Sequence, residues 1–485
     1  MNNLIPKFSS DKWQEVENKT KLKVVNFANL HIIPYKKCIN SKEKIKLKSF
    51  ENIPVTSKNL FLKKFSLTDL LIPPKLQQTL IFTSTSGSTG DPYYFPRTYS
   101  IDYQYSIIVE LFLKQSSYGF PKPTLVLVCF GMGVWIGGLI TYQAFEIAAR
   151  RSNLPISILT PGINKVEIFK ALKKLSKYYD QTIIIGYPPF IKDIVDESWS
   201  NGIDLKKIKI RFIFAAEVFS EPFRNYLAKA VGIKNVCRDM MNIYGSADIG
   251  AMAIETGIST LLKKIIYNNK SVYKDFFNTE NKMPTIAQYD PRYISFESLN
   301  GEILITGMNA IPLIRYAIGD HGYVFTYKQV RNILKKNNIS LNKELIKNSI
   351  LDSTYELPFI CIFERSDFST TIYGLQIYPE IIRESLLKPL LKKYVTGKFV
   401  MSTKFDKKHN QYLEIIVELK NKIPKSDRVT KIAQNIIFTH LTQKSSEYRE
   451  LKSYLKERAI PVVILSDYGN PEYFKTGIKQ KWVSS

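Results

Sequence analysis

The sequence predicts an α/β protein: a large N-terminal domain with parallel sheets flanked by helices, followed by a small α+β C-terminal domain. Three observations carry that expectation. Between Pro123 and Ala230 short, mostly apolar runs alternate with amphipathic stretches. A length of 485 residues exceeds what one hydrophobic core usually organises. Near Asp367 the pattern changes to helix, hairpin, helix and strand, which places the domains at 1–366 and 367–485.

The elements follow in order. Thr79-Leu80-Ile81-Phe82 reads as a strand running into a hydroxyl- and glycine-rich loop. No charge occurs between Lys122 and Glu146, a span long enough to cross a bilayer. It divides, however, into a strand at Thr124–Phe130, a turn holding Gly131, Gly133, Gly137 and Gly138, and a helix from Leu139, so buried core is expected and no transmembrane segment. Further strands are expected at Ile156–Leu159, Thr182–Ile185 and Ile208–Phe214. Helices are expected at Val166–Tyr179, with Ile168, Phe169, Leu172 and Leu175 on one face, and at Pro189–Trp199. Short apolar strands joined by such helices imply a parallel sheet covered on both faces, whose ligands bind beyond the carboxyl ends of the strands. The turns Gly131–Gly138, Gly186–Pro189 and Ala215–Glu217 should therefore converge. The lysine- and asparagine-rich stretch Gly257–Asn281 reads as a variable surface insertion, and Glu302–Thr306 as another strand. The small domain reads as a helix (Pro379–Lys393), a hairpin (Lys398–Thr403 with Tyr412–Leu419), a long helix (Ser426–Leu451) and a strand (Pro461–Leu465).

Composition excludes several classes. Apolar residues make up 45% and aromatics 13%, as in a folded globular chain. The net charge of +26 invites a nucleic-acid reading. The excess is mostly lysine scattered over 42–48, 170–177 and 335–347, with no arginine cluster among aromatics, so no nucleic-acid partner is expected. A basic surface still favours anionic ligands such as nucleotides. Cys38, Cys129, Cys237 and Cys361 are far apart and form no CxxC, which fits small buried residues in a reducing cytoplasm. His31, His321, His409 and His440 are equally scattered and indicate no metal cluster. The N-terminus lacks the basic-then-apolar layout of a signal peptide.

The loop Thr85-Ser86-Gly87-Ser88-Thr89-Gly90-Asp91-Pro92 supplies four hydroxyls and two glycines after its strand. Free backbone N–H groups and hydroxyls suit a phosphate chain. Gly-Lys-Ser/Thr does not follow the second glycine, so it is not a Walker A loop. By itself the loop fits a solvated polar turn equally well.

Four more segments follow in order: Tyr244-Gly245-Ser246-Ala247-Asp248; Pro312-Leu313-Ile314-Arg315-Tyr316-Ala317-Ile318-Gly319-Asp320; Arg365-Ser366-Asp367 with Tyr373-Gly374-Leu375-Gln376-Ile377-Tyr378-Pro379; and Lys475-Thr476-Gly477-Ile478-Lys479-Gln480-Lys481. The ordered set resembles the adenylate-forming superfamily of acyl-CoA synthetases, nonribosomal adenylation domains and luciferases. Pro-Leu-Ile-Arg-Tyr-x-x-Gly-Asp, with the runs Ile33-Pro34-Tyr35 and Phe50–Lys58, is similar to the phenylacetate–CoA ligase family.

The resemblance implies an enzyme that joins a carboxylic acid to AMP from ATP, releases pyrophosphate and then forms a thioester with CoA. It implies that Thr85, Ser86, Gly87, Ser88, Thr89 and Gly90 hold the β- and γ-phosphates, and that Ala216, Glu217, Tyr244, Gly245 and Ser246 border the adenine or acyl group. Asp320 would accept hydrogen bonds from the ribose hydroxyls, Arg365 would contact ribose or phosphate, and Asp367 would be the hinge of a mobile small domain. Asp248 takes the place of an acidic Mg²⁺ ligand that is usually glutamate, and Glu364 stands where glycine usually precedes the arginine. The catalytic lysine would be Lys479, with Lys475 and Lys481 as alternatives because Ile478 separates Lys479 from the loop's glycine. Gly374 would face the CoA or other acceptor, although a bare turn glycine explains it nearly as well. Trp135, Tyr187, Pro188 and Pro189 could line a pocket for an aryl or small acyl group, or could equally be core packing. A separate carrier-protein thiol or an amine is the alternative acceptor, a noncatalytic nucleotide-binding homologue is a further reading, and a homodimer stays open as the assembly.

Overall fold

A computed structural model describes residues 4–41, 43–84, 93–132, 136–215, 219–277, 283–363, 370–372, 375–377, 379–406, 411–445, 448–449, 452 and 455–474. Its strands are β1 (Ile81–Ser84), β2 (Tyr94–Arg97), β3 (Thr124–Cys129), β4 (Ile156–Leu159), β5 (Gln181–Gly186), β6 (Ile210–Ala215), β7 (Met240–Ser246), β8 (Gly250–Ile254), β9 (Thr285–Gln288), β10 (Ile294–Leu299), β11 (Glu302–Gly307), β12 (Leu313–Phe325) and β13 (Phe359–Phe363). Five more follow: β14 (Thr370–Ile372), β15 (Leu375–Ile377), β16 (Val395–Phe405), β17 (Gln411–Leu419) and β18 (Val462–Ser466).

An 11-stranded sheet in the order β10-β11-β12-β13-β9-β8-β7-β6-β5-β3-β4 forms the centre of the molecule. The parallel sheet expected from Pro123 to Ala230 is its β4-β3-β5-β6-β7 part. The remainder is antiparallel, so the sheet is mixed. Part of the reason is local. Asn300 and Gly301 both take left-handed backbone (φ 52° and 85°), the requirement of the tight turn that joins β10 to β11 as a hairpin.

Alternate side chains of the parallel strands enter two cores. Val126, Val128, Ile183, Ile185 and Ile213 face the layer of helices Tyr99–Lys114 and Ile136–Ser152. Leu125, Leu127, Ile184, Phe212 and Phe214 face the layer holding helices Lys165–Leu175 and Glu221–Val231. Burial on both faces is why these strands read as continuous apolar runs.

The surface insertion expected at Gly257–Asn281 is corrected by the structure. Its described part forms two helices, Gly257–Asn268 and Lys270–Phe276, whose Ile258, Leu261, Leu262, Ile266, Val272 and Phe276 are buried in the second core. The lysines and asparagines occupy much of the remaining surface of helices that are amphipathic, not irregular. One lysine is an exception. Lys263 is buried with Arg224, Glu221 and Glu255, with Arg224–Glu255 at 2.8 Å, Arg224–Glu221 at 3.0 Å and Lys263–Glu255 at 3.4 Å. Burial works to raise the Glu255 pKa, but Arg224 and Lys263 outweigh it and the net shift is downward. Glu255→Gln leaves two buried cations against Glu221 alone and should destabilise the fold by about 3 kcal/mol, read as a lower urea midpoint.

The small domain has β16 antiparallel to β17 and β18 parallel to β17. Ile382, Leu386, Phe399, Met401, Ile415, Val417, Ala433 and Ile437 share its core. The helix expected over Pro379–Lys393 is two, Pro379–Leu386 and Pro389–Lys392, because proline begins a helix more readily than it continues one. The helix expected over Ser426–Leu451 runs Asp427–Lys444 and ends where Ser445 turns extended. The expected boundary between Ser366 and Asp367 lies outside the described residues. Among those described, no helix is long and apolar enough to cross a membrane. Cys129, Cys237 and Cys361 are buried and Cys38 is half-buried, all four as free thiols.

Candidate active site

The parallel strands β3, β4, β5, β6 and β7 all end at one edge of the sheet. Phe130 after β3 meets Tyr187 after β5 edge-on, with ring centroids 4.9 Å apart. Gly162, after β4, donates its N–H to Val128 of β3 at 3.2 Å. Of the three turns expected to converge, the ends of β3 and β5 meet through Phe130 and Tyr187, while Ala216 and Glu217 after β6 and residues 133–135 after β3 lie outside the described residues. Pro188 opens a helix, Pro188–Ser198, in the first-turn position where a missing N–H is harmless.

After Gly245 and Ser246, the last residues of β7, the chain turns tightly through Ala247-Asp248-Ile249. Gly245 leaves no room for another residue, since a Cβ there would lie 2.8 Å from the Gly250 carbonyl oxygen of β8. The Asp248 N–H donates to the Ser246 hydroxyl at 3.2 Å. Three contacts join this turn to distant segments. Thr83 of β1, just before the loop 85–92, donates its hydroxyl at 3.4 Å to both the Ala247 and Phe95 carbonyls. Tyr316 of β12 donates its hydroxyl to Asp248 Oδ1 at 2.7 Å. Tyr244 of β7 donates its hydroxyl to Asp320 Oδ2, also in β12, at 2.5 Å. Tyr244 is partly exposed, whereas Asp248 and Asp320 are buried. The structure thus brings Tyr244, Gly245, Ser246, Asp248 and Asp320 together at the strand edge, with Thr83 of β1 beside them.

Burial, and then the Asp248 carboxylate beside it, push the Tyr316 pKa far above that of a free phenol. Tyr316 consequently stays a hydrogen-bond donor throughout the neutral range and holds Asp248 by one oxygen. Tyr93, across from the turn, is raised by burial and by the same carboxylate.

Tyr316 is itself fixed by a segment far away in sequence. Thr56 bridges to Tyr316, donating its N–H to the Arg315 carbonyl at 3.1 Å and accepting from the Ala317 N–H at 2.8 Å. Its hydroxyl donates to Ile314 O at 2.8 Å. Arg315 sits in left-handed backbone at φ 42° and is held from three sides. Its N–H donates to Thr306, its guanidinium donates to the Glu51 carbonyl and, at 2.7 Å, to the Ile53 carbonyl, and Glu297 lies 3.4 Å away. Thr83, Tyr93, Arg315 and Tyr316 are the site neighbours that residue types alone did not single out. For Tyr316 a signal existed, because it lies four residues before Asp320 on the same strand.

Several expected site residues lie outside the described residues. These are Thr85, Ser86, Gly87, Ser88, Thr89 and Gly90 of the loop, Ala216 and Glu217, Trp135, Arg365, the expected hinge Asp367, Gly374 and Lys479.

The donors at the β7 turn can be tested against magnesium. Among the described residues no group of three His, Cys, Asp or Glu side chains is placed to hold a metal ion. Asp248 is a single carboxylate with one oxygen already bonded to Tyr316. Mg²⁺ keeps most of its waters and is commonly held by one or two carboxylates plus substrate phosphates. The donor set therefore fits magnesium arriving with a nucleotide, and does not fit an all-protein cage.

The whole architecture is similar to that of solved CoA ligases. 2-Hydroxyisobutyryl-CoA ligase in its postadenylation state, in complex with R3-HIB-AMP, superposes with a TM-score of 0.65 over 99% of this chain and 90% of that one, at 15% identity. The same ligase in complex with 2-HIB-AMP gives 0.64 over 100% and 94%, at 13% identity. Its open conformation, in complex with 2-HIB-AMP and CoA, gives 0.54 over 99% and 93%, at 14% identity. No family model matches the chain, and no curated protein matches it in sequence. The fold is thus the one that the five ordered motifs led us to expect, that of the adenylate-forming enzymes. In particular the chain shares the fold of 2-hydroxyisobutyryl-CoA ligase.

Proposed function

We propose that this protein is an ATP-dependent carboxylate–CoA ligase acting through an acyl-AMP. A carboxylate oxygen of the acid attacks the α-phosphorus of ATP, the bond to the bridging oxygen breaks, and pyrophosphate leaves. The CoA sulfur then attacks the acyl carbon, its thiol proton passes to solvent, and AMP departs with the bonding pair. The observation that carries this reading is the junction at the β7 turn, where Asp248 with Tyr316 and Tyr244 with Asp320 tie two of the five motif segments together and Thr83 joins them to β1, the strand before a third, at the carboxyl edge of the parallel strands. Support comes also from the shared fold, since the similar ligase holds an adenylate and CoA.

In this reading the protein contributes positioning and charge more than covalent chemistry. Thr85, Ser86, Gly87, Ser88, Thr89 and Gly90 hold the β- and γ-phosphates through hydroxyls and backbone N–H groups. Ala216, Glu217, Tyr244, Gly245 and Ser246 border adenine and the acyl group, and Asp320 receives the ribose hydroxyls. Its bond from Tyr244 sets the carboxylate's orientation before the nucleotide arrives. Asp248, oriented by Tyr316, would hold magnesium, which would supply positive charge beside the phosphates. Arg365 contacts ribose or phosphate. Lys479 brings its ammonium to the carboxylate and α-phosphate, Asp367 is the hinge of a small domain that changes position for the second step, and Gly374 then lies on the acceptor side. Tyr187, Pro188 and Trp135 lie on the acyl side and suit an aryl or small acyl acid, as in phenylacetate–CoA ligases.

Incubation with ATP, Mg²⁺, CoA and a panel of aryl and small aliphatic acids tests the whole sequence of steps. Mass spectrometry should find AMP and an acyl-CoA in equal amounts. AMP without acyl-CoA would point to a carrier thiol or an amine as acceptor, and neither product would contradict the ligase. Tyr316→Phe removes the donor that orients Asp248, and loss of such an outer partner typically weakens a metal site about 10-fold or more. Its half-saturating Mg²⁺ concentration should rise by that factor while its thermal midpoint stays close to that of the unmodified protein.

A further inference from the structure

The helix Pro188–Ser198 faces two parts of the molecule at once. At its start, Tyr187 packs on Phe130 at the carboxyl edge of the sheet. One turn later its side chains grip the small domain. Buried Lys192 donates to the Thr396 carbonyl of β16 at 2.7 Å and to Asp196 on its own helix at 2.7 Å. Asp193, also buried, lies 3.0 Å from the Lys398 ammonium of β16 and 3.4 Å from Lys165. Lys165 in turn donates to Glu197 at 2.6 Å and to the Tyr468 hydroxyl beyond β18 at 3.1 Å.

The small domain is shaped to meet this helix. The pairing of β16 with β17 slips between Val395 and Phe399, and Gly397 within the slip has φ 94°. A Cβ at Gly397 would come within 3.4 Å of the Lys192 ammonium, so glycine supplies both the left-handed backbone and the space. Behind it Glu418 of β17 accepts from the Thr396 hydroxyl at 2.6 Å and from the Gly469 N–H at 3.1 Å, and lies 3.5 Å from Lys398. Burial lowers the Lys398 pKa, but Asp193 and Glu418 outweigh it and the net shift is upward.

Lysines and carboxylates dominate these contacts. Charged groups that separate regain their hydration, so a buried ion-pair seam adds little net stability while demanding one geometry. A seam of that kind suits a contact that must form in one arrangement and open for another. An apolar seam would instead lose about 25 cal/mol for each Å² exposed on opening.

We propose that Lys192, Asp193 and Lys398 form a charged clasp by which the helix Pro188–Ser198 holds the small domain in one arrangement, from the same helix whose first residues border the acyl side of the site. The clasp opens when the small domain changes position between the two half-reactions, and in that respect it rests on the ligase reading above.

Small-angle X-ray scattering on the full chain without acid or nucleotide tests the clasp. Lys398→Glu sets a negative charge against Asp193 and Glu418, and Lys398→Met removes the charge while keeping most of the stem. Circular dichroism should show both variants folded. Lys398→Glu should raise the radius of gyration by about 1–2 Å over the ~23 Å expected of a compact chain of this length, with Lys398→Met between it and the unmodified protein. Scattering curves of both variants that superpose on that of the unmodified protein would overturn the clasp and leave the ligase reading untouched. Absence of acyl-CoA formation in the unmodified protein would overturn the ligase reading, while the scattering result would still decide whether the seam holds the domains.

Discussion

Asp320→Ala is expected to lower kcat/KM for ATP in the adenylation step by about 100-fold or more. A hydrogen bond to a charged group contributes roughly 1.5–3 kcal/mol, and two ribose hydroxyls converge on this carboxylate in the proposed reading. Because the ribose is bound before and during the reaction, much of the loss should appear in KM for ATP. Asp320→Asn keeps an oxygen acceptor at the same distance and should lose less. Neither variant should unfold the protein. The Tyr244 hydroxyl that donates to Asp320 is partly exposed and can turn to water, so losing this bond should move the thermal midpoint by no more than about 1 kcal/mol implies. Measuring KM for ATP and thermal unfolding together separates a ribose contact from a structural strut.

Lys479→Ala is expected to reduce kcat for adenylation by a factor of about 10²–10³, the usual effect of removing one preorganised group from a developing charge. Here KM for ATP should change little, because the ammonium acts where charge builds between carboxylate and α-phosphate. Lys475→Ala and Lys481→Ala should remain near normal. If one of those two carries the loss instead, the catalytic lysine is that neighbour, and the intervening Ile478 marks a shifted loop. Transfer from preformed acyl-AMP to CoA should survive Lys479→Ala, since that step forms no bond at the α-phosphate.

The sequence made the parallel half of the sheet readable for a physical reason. Strands such as Thr124–Cys129 and Gln181–Gly186 are buried on both faces, so their apolar runs stand out, and helices with one apolar stripe separate them. The stretch from Gly257 was misread because lysine and asparagine dominate its composition, while the buried stripe Ile258-Leu261-Leu262-Ile266 is carried by spacing alone. The antiparallel half went largely unread because its pairings join segments far apart, as β9 with β13. At the candidate site, residue types and order pointed to Tyr244, Asp248 and Asp320, which the fold brings together. Thr56, Arg315 and Tyr316 stood out in the sequence only as members of motif runs, and nothing there showed that they brace one another. The partners in this brace lie some 260 residues apart, and its bonds are mostly to backbone carbonyls, which any residue provides. The clasp was equally hidden, since Lys192 and Lys398 sit in a chain where lysine is everywhere.

Exchange of labelled pyrophosphate into ATP tests most directly whether the β7 turn and β12 form an adenylating site, because it reports the first half-reaction without any acceptor. With Mg²⁺ and a panel of aryl and small aliphatic acids, at least one acid should drive exchange well above the acid-free rate, and Asp320→Ala should suppress it. Exchange that stays at the acid-free rate for every acid, in protein shown to be folded, would contradict the account.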